Sequence, residues 1–160
     1  MVATVEETCR AIQLQMDLVW QKLPISHKFP EPLPLQSNVV CFQDRHSVES
    51  HPFSSIFEAV DFALVRTTLP ITINGRPGGG KTSAMKWIAR SFAIRRLEGR
   101  SKWLPVYVDL GQFSHLETGR WLASLIQQVM QKSLPVNYAP FQVESQNLLF
   151  LLDGDRKSVV

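Results

Sequence analysis

Cysteine is scarce in this chain: Cys9 and Cys41 are the only two in 160 residues, far apart and outside any Cys-x-x-Cys pair. That excludes a disulfide-stapled scaffold, and the four histidines (His27, His46, His51, His115) fall at no metal-ligand spacing, so no zinc site is indicated. Long apolar runs are missing as well. The longest aliphatic stretch, "LLFLL", is far short of the roughly 20 residues that cross a bilayer. The opening "MVATVEETCR" has neither the basic segment nor the apolar core of a secretory signal, so a cytoplasmic location is expected, with no membrane partner. Neither sign of charge dominates, with 17 Lys and Arg against 14 Asp and Glu for a net charge of +3. The one basic cluster is Arg90, Arg95, Arg96, Arg100 and Lys102. A nucleic-acid groove is one reading of it. The C-terminal end of a helix, where cations offset the macrodipole, explains it more simply, and no nucleic acid is expected. There is no internal repeat and no low-complexity tract.

What is present is an ordinary globular composition, 44% hydrophobic, enough for one buried core. Val5, Cys9, Ile12, Met16 and Val19 recur four and three residues apart and predict an amphipathic helix within a segment 1–23. Such a stripe suits self-association or a partner protein; packing on its own domain is the simpler use. "LPISHKFPEPLPLQ" follows, where four prolines remove amide donors and favour extended backbone, so 24–36 is read as a linker and 37–160 as the main domain. Within that domain "NVVCFQ" is a weak strand candidate. Phe53, Ile56, Phe57, Val60 and Leu64 have helical spacing, with Pro52 near the helix start. "LPITIN" reads as a short strand, residues 81–97 as a helix stopped by Gly99, and "LPVYVDL" as a second strand. "ETGRWLASLIQQVMQK" pairs apolar residues every four positions as a helix, and "LLFLLD" is a third strand. Strands apolar throughout and alternating with helices indicate an α/β fold with a parallel sheet covered on both faces.

Glycine is concentrated where it counts. Of eight glycines, four stand at 75, 78, 79 and 80, between a predicted strand and a predicted helix. Gly75, four intervening residues, then Gly80, Lys81 and Thr82 satisfy G-x-x-x-x-G-K-[ST] in full. Glycines open backbone conformations closed to other residues, so that successive N–H groups can converge on phosphate oxygens. Lys81 adds a mobile cation, the Thr82 hydroxyl is placed for Mg²⁺, and the helix start adds partial positive charge. Gly75, Arg76, Pro77, Gly78, Gly79, Gly80, Lys81, Thr82 and Ser83 are therefore the expected phosphate cradle. In "LLFLLDGD", Asp153 ends a buried strand at the sheet edge where α/β ligands sit, and with Thr82 it is the candidate metal ligand. Asp109 ends the neighbouring strand and reads as a turn cap before Gly111.

With both halves placed, the chain resembles the NACHT branch of the signal-transduction ATPases, the STAND class of P-loop NTPases. The residues that carry the likeness are "ITINGRPGGGKTSAMKWIA", "LPVYVDLGQF", "WLASLIQQVM" and "LLFLLDG". The resemblance implies a three-layer P-loop fold with strand order 2-3-1, ATP (less often GTP) bound with Mg²⁺, and a nucleotide switch that controls assembly of a larger sensor. Gly75, Gly80, Lys81, Thr82 and Asp153 match the family's phosphate and magnesium positions. The likeness breaks after Asp153. Where the family has Asp-Gly-apolar-Asp-Glu, this chain reads "DGDRKSVV", with Asp155 at the apolar position and Arg156 and Lys157 in place of the acidic pair. A cation cannot accept a proton from water, which leaves Asp155 as the one candidate catalytic base. The stop at Val160 leads to the expectation of a fragment of a longer protein. Three functions follow: an ATP-binding switch domain with hydrolysis in question, a competent AAA-like nucleoside triphosphatase using Asp155, or a vestigial interaction fragment that no longer binds nucleotide.

Overall fold

The computed structural model describes residues 4–21, 37–43, 46–67, 70–76, 78–113, 128–129, 131 and 147–154. Helix α1, Val5–Gln21, begins at a reciprocal cap: the Glu7 N–H donates to Thr4 Oγ1 (3.2 Å) and the Thr4 N–H to Glu7 Oε2 (2.7 Å). The bond from the Thr4 amide holds the Glu7 carboxyl below its ordinary range. Cys9, Ile12 and Met16, the middle of the predicted stripe, are buried. So α1 is packed on its own core.

Strands β1, Ser37–Gln43, and β2, His46–Phe53, form an antiparallel hairpin whose register shifts between Cys41 and Phe42. Here two expectations are corrected. Pro52 and Phe53 belong to β2, opposite Asn38 and Ser37, and not to the helix that follows. Helix α2, Ile56–Arg66, starts only where the Ser55 side chain accepts from the Glu58 N–H (3.1 Å). That cap, a Ser-x-x-Glu box in sequence, sets the start, and Pro52 is tolerated because among the described residues β2 pairs only with β1. Phe53 keeps an apolar partner across the turn, its ring 5.0 Å from that of Phe62. Ser55→Ala is expected to lower stability by about 1 kcal/mol, the usual worth of such a cap, read as a lower urea midpoint.

No strand forms over residues 70–76, contrary to the reading of "LPITIN". Pro70 has no amide to donate, and Asn74 and Gly75 are poor strand formers, which leaves three residues with β preference. Helix α3, Lys81–Leu97, has the expected limits, and Gly99 (φ +68°) closes it with its N–H on Arg96 O at 3.1 Å. Strand β3, Trp103–Asp109, pairs in parallel with β4, Asn147–Asp153, in the register Tyr107 to Leu151 and Asp109 to Asp153. These are the second and third predicted strands, side by side in a two-stranded sheet.

Apolar side chains pack on both faces of the sheet. Leu104, Val106 and Val108 form one buried cluster with Cys9, Ile12 and Met16 of α1 and Ala93 of α3; Leu148, Phe150 and Val129 pack against it. Leu151 joins Ile88, Ala89 and Phe92 of α3 and Val60 of α2 in a second, with Leu149 and Ile73 against it. The basic cluster works in this packing: Arg90 Nε meets Asp17 Oδ1 at 2.5 Å, Arg95 Nη1 meets Asp61 Oδ2 at 3.1 Å, and Arg100 pairs with Glu98. The first two fasten α3 to α1 and α2. The linker over 24–36, Asp155, and the helix over 117–132 apart from residues 128, 129 and 131 lie outside the described residues.

Burial leaves the Cys9 thiol without water, and its pKa is pushed up to about 11. The folded protein therefore holds this proton more tightly than the unfolded chain. Its contribution is whole below the ordinary thiol value of 9.0 and is lost as pH rises toward about 11. Unfolding midpoints taken across that window should fall in the wild type and fall less steeply in Cys9→Ala; equal slopes would contradict the buried thiol.

Candidate functional site

The glycine loop takes its shape from three positions. Gly78 (φ +71°) and Gly80 (φ +78°) adopt the left-handed backbone that side chains disfavour. Gly79 lies in a tight turn, its N–H on Arg76 O at 3.0 Å, and a Cβ there would stand 2.9 Å from that same oxygen. Helix α3 then starts from Gly80, which has no side chain to cap it. The first bond of its ladder is Ala84 N–H to Gly80 O at 2.8 Å. The amides of Lys81, Thr82 and Ser83 thus precede the ladder, at the positive end of a 17-residue helix.

Lys81 turns back across the loop. Its Nζ donates to Gly75 O (2.9 Å) and Arg76 O (3.0 Å), closing a ring over the turn. Thr82 and Ser83 are exposed at the loop mouth, as are Gly75, Arg76, Gly78 and Gly79. Pro77 and Asp155 lie outside the described residues, together with Arg156 and Lys157.

The second half of the site is at the C-terminal edge of the sheet. Asp153 ends β4, half-buried, with Asp109 as its Cα partner on β3. Asp109 Oδ1 accepts from the Gly111 N–H at 2.9 Å, the turn cap its position suggested. Asp153 Oδ2 accepts from the Tyr107 hydroxyl at 2.7 Å. Lys86 Nζ stands 5.7 Å from the centre of the Tyr107 ring. Lys86, in the first half of α3, therefore lies by Tyr107 near the end of β3, while Ala93 and Leu97, farther along α3, belong with the cluster of Leu104, Val106 and Val108. Thr82 stands one helical turn ahead of Lys86 on the same helix.

Among the described residues no group of three or more His, Cys, Asp or Glu gathers to cage a metal ion. The Thr82 hydroxyl and the Asp153 carboxylate are instead donors of the kind taken by a small hard cation that keeps waters and phosphate oxygens, so these residue types fit Mg²⁺. Bound there, the ion would supply charge for the phosphate oxygens. Sequence reasoning missed Tyr107 and Lys86. Strand alternation puts Tyr107 on the same face as Asp109, but only the parallel register reveals that Asp153 is its neighbour.

No helix among the described residues is long and apolar enough to cross a membrane. Comparison with curated proteins and with solved structures gives no match. The family model described as the NACHT domain does match, over residues 69–156, a span that takes in the glycine loop, α3, β3 and β4 and more than half of the chain. Together with helices set on a small parallel sheet, this places the chain in the NACHT family, as part of a P-loop NTPase domain of the nucleotide-binding kind.

Proposed function

We propose that the chain binds ATP with Mg²⁺ and serves as a nucleotide switch of the signal-transduction ATPase class. The observation that carries this reading is the pair of left-handed glycines, Gly78 and Gly80, leading into an α3 start that no side chain caps. Backbone so shaped can turn consecutive N–H groups toward one anion. In this reading Gly75, Arg76, Pro77, Gly78, Gly79 and Gly80 form the cradle, and Lys81 trades its two carbonyl partners for phosphate oxygens. The Thr82 and Ser83 amides complete the cradle, while the Thr82 hydroxyl and Asp153 carboxylate take the metal. Strand order 2-3-1 would need residues 70–74, which form no strand here, to extend along the outer side of β4, an arrangement favoured by Ile73 on the Leu151 cluster.

Hydrolysis is expected to be slow. Arg156 and Lys157 stand where an acidic pair would orient water, and Asp155 is the one nearby carboxylate left to act as base. A soluble cytoplasmic setting suits the charge balance. A partner protein or second copy would meet the outer side of α1, where Leu14 (63%) and Leu18 (55%) are exposed. Light scattering with and without MgATP reads that association, and a monomer in both conditions removes it.

Calorimetric titration tests the binding itself. ATP should bind saturably, more tightly with Mg²⁺ than without, and Asp153→Asn should erase most of the magnesium-dependent gain, about tenfold or more. GTP run alongside fixes the base preference. Absence of heat with either nucleotide, with and without Mg²⁺, would overturn the proposal and favour the interaction fragment.

A further inference from the structure

We infer that Tyr107 is the positioning residue of the Asp153 carboxylate, holding it in the orientation that a magnesium-bound triphosphate requires; this rests on the proposed metal role of Asp153. A carboxylate at the last residue of a strand, followed by a glycine, is free to turn about two side-chain bonds. Here one oxygen is held. The Tyr107 hydroxyl donates to Oδ2 at 2.7 Å, a short bond from phenol to carboxylate, which leaves Oδ1 for another partner.

The donor is itself held in place. Tyr107 packs against both hydrophobic clusters, so its ring cannot swing without disturbing that packing. The Lys86 ammonium, 5.7 Å from the ring centre, ties the same ring to the helix that starts at the glycine loop. The hydrogen bond crosses the ladder diagonally, from the residue opposite Leu151 to a carboxylate two positions on. One rigid ring thus links the two halves of the site: α3 through Lys86, β4 through Asp153. A phenylalanine would fill the same space and meet the same cation. What the hydroxyl adds is control over the carboxylate, the part played by outer partners that orient metal ligands.

Tyr107→Phe separates the two roles, because it removes one oxygen and keeps the ring. ATP is titrated calorimetrically with and without Mg²⁺ into the whole chain as wild type, Y107F, D153N and the double variant, with thermal unfolding recorded for each. Y107F is expected to bind ATP alone as the wild type does and to lose about tenfold of the magnesium-dependent gain, the low end of what outer-partner changes cost. In the D153N background the same change should have no further effect, since the two act as a unit. Three results would overturn the inference while the nucleotide reading stands: an unchanged magnesium gain in Y107F, an equal loss with and without Mg²⁺, or additive losses in the double variant. Wild type that binds neither ATP nor MgATP is a separate outcome, which overturns the nucleotide reading and the role of Tyr107 with it.

Discussion

Lys81→Ala is expected to weaken MgATP binding by about 10- to 100-fold, the worth of one charge-assisted hydrogen bond of roughly 1.5–3 kcal/mol. The ammonium now rests on two neutral acceptors, Gly75 O and Arg76 O, at 2.9 and 3.0 Å. Phosphate oxygens carry full charge and would outcompete those carbonyls, so the side chain needs only a short swing to change partners. Its removal should cost little stability, because both carbonyls belong to exposed residues that water can satisfy. Affinity should therefore collapse while the urea midpoint stays nearly fixed. Lys81→Arg is expected to recover only part of the loss, since a planar fork does not replace a compact point charge. Calorimetry on the three proteins checks this, and equal affinity in wild type and Lys81→Ala would remove Lys81 from the site.

Phe92→Ala has the largest expected effect on the fold. Phe92 is fully buried in α3, in the cluster with Val60, Ile88, Ala89 and Leu151, and its ring centre is 5.1 Å from that of Phe57. Truncating such a ring removes its transfer free energy and leaves a cavity, about 3–5 kcal/mol together. Against a domain stability of about 5–15 kcal/mol, that is enough to unfold a sizeable fraction of the chain at 37 °C. The same cluster seats α3 against β4, so nucleotide affinity should fall in step with the folded fraction and return when stabilising osmolyte restores it. A change in thermal midpoint of less than a few degrees would show that this packing is not what joins α3 to the sheet.

The parts of the fold legible in sequence are those set by local chemistry. Lys81 and Gly99 bracket α3 as read, because a left-handed glycine stops a helix whatever surrounds it. The apolar runs of β3 and β4 announced a sheet packed on both faces; apolar clusters do lie on both, though Leu152 of β4 stays exposed. The hairpin was half hidden. "HSVESHPF" is too polar to declare itself a strand, and its pairing with "SNVVCFQ" depends on a partner rather than on its own composition. The start of α2 was misplaced although Ser55 and Glu58 spell out the cap, because the spacing of Phe53 continued the helical pattern one turn too far. In the candidate site, the glycines and Lys81 were legible as a motif. The Tyr107–Asp153 bond was not, since it joins residues 46 positions apart through a register that no local pattern encodes.

The central claim is that main-chain amides of the glycine loop and the first turn of α3 hold a triphosphate. Amide nuclear magnetic resonance on uniformly ¹⁵N-labelled protein, titrated with MgATP, reads those groups one at a time. The expected result is that the largest and saturable shifts fall on Gly78, Gly79, Gly80, Lys81, Thr82 and Ser83, with a second set at Asp153 and Gly154, while the β1–β2 hairpin stays in place. Shifts absent from the loop at saturating nucleotide, or gathered on the hairpin instead, would contradict it.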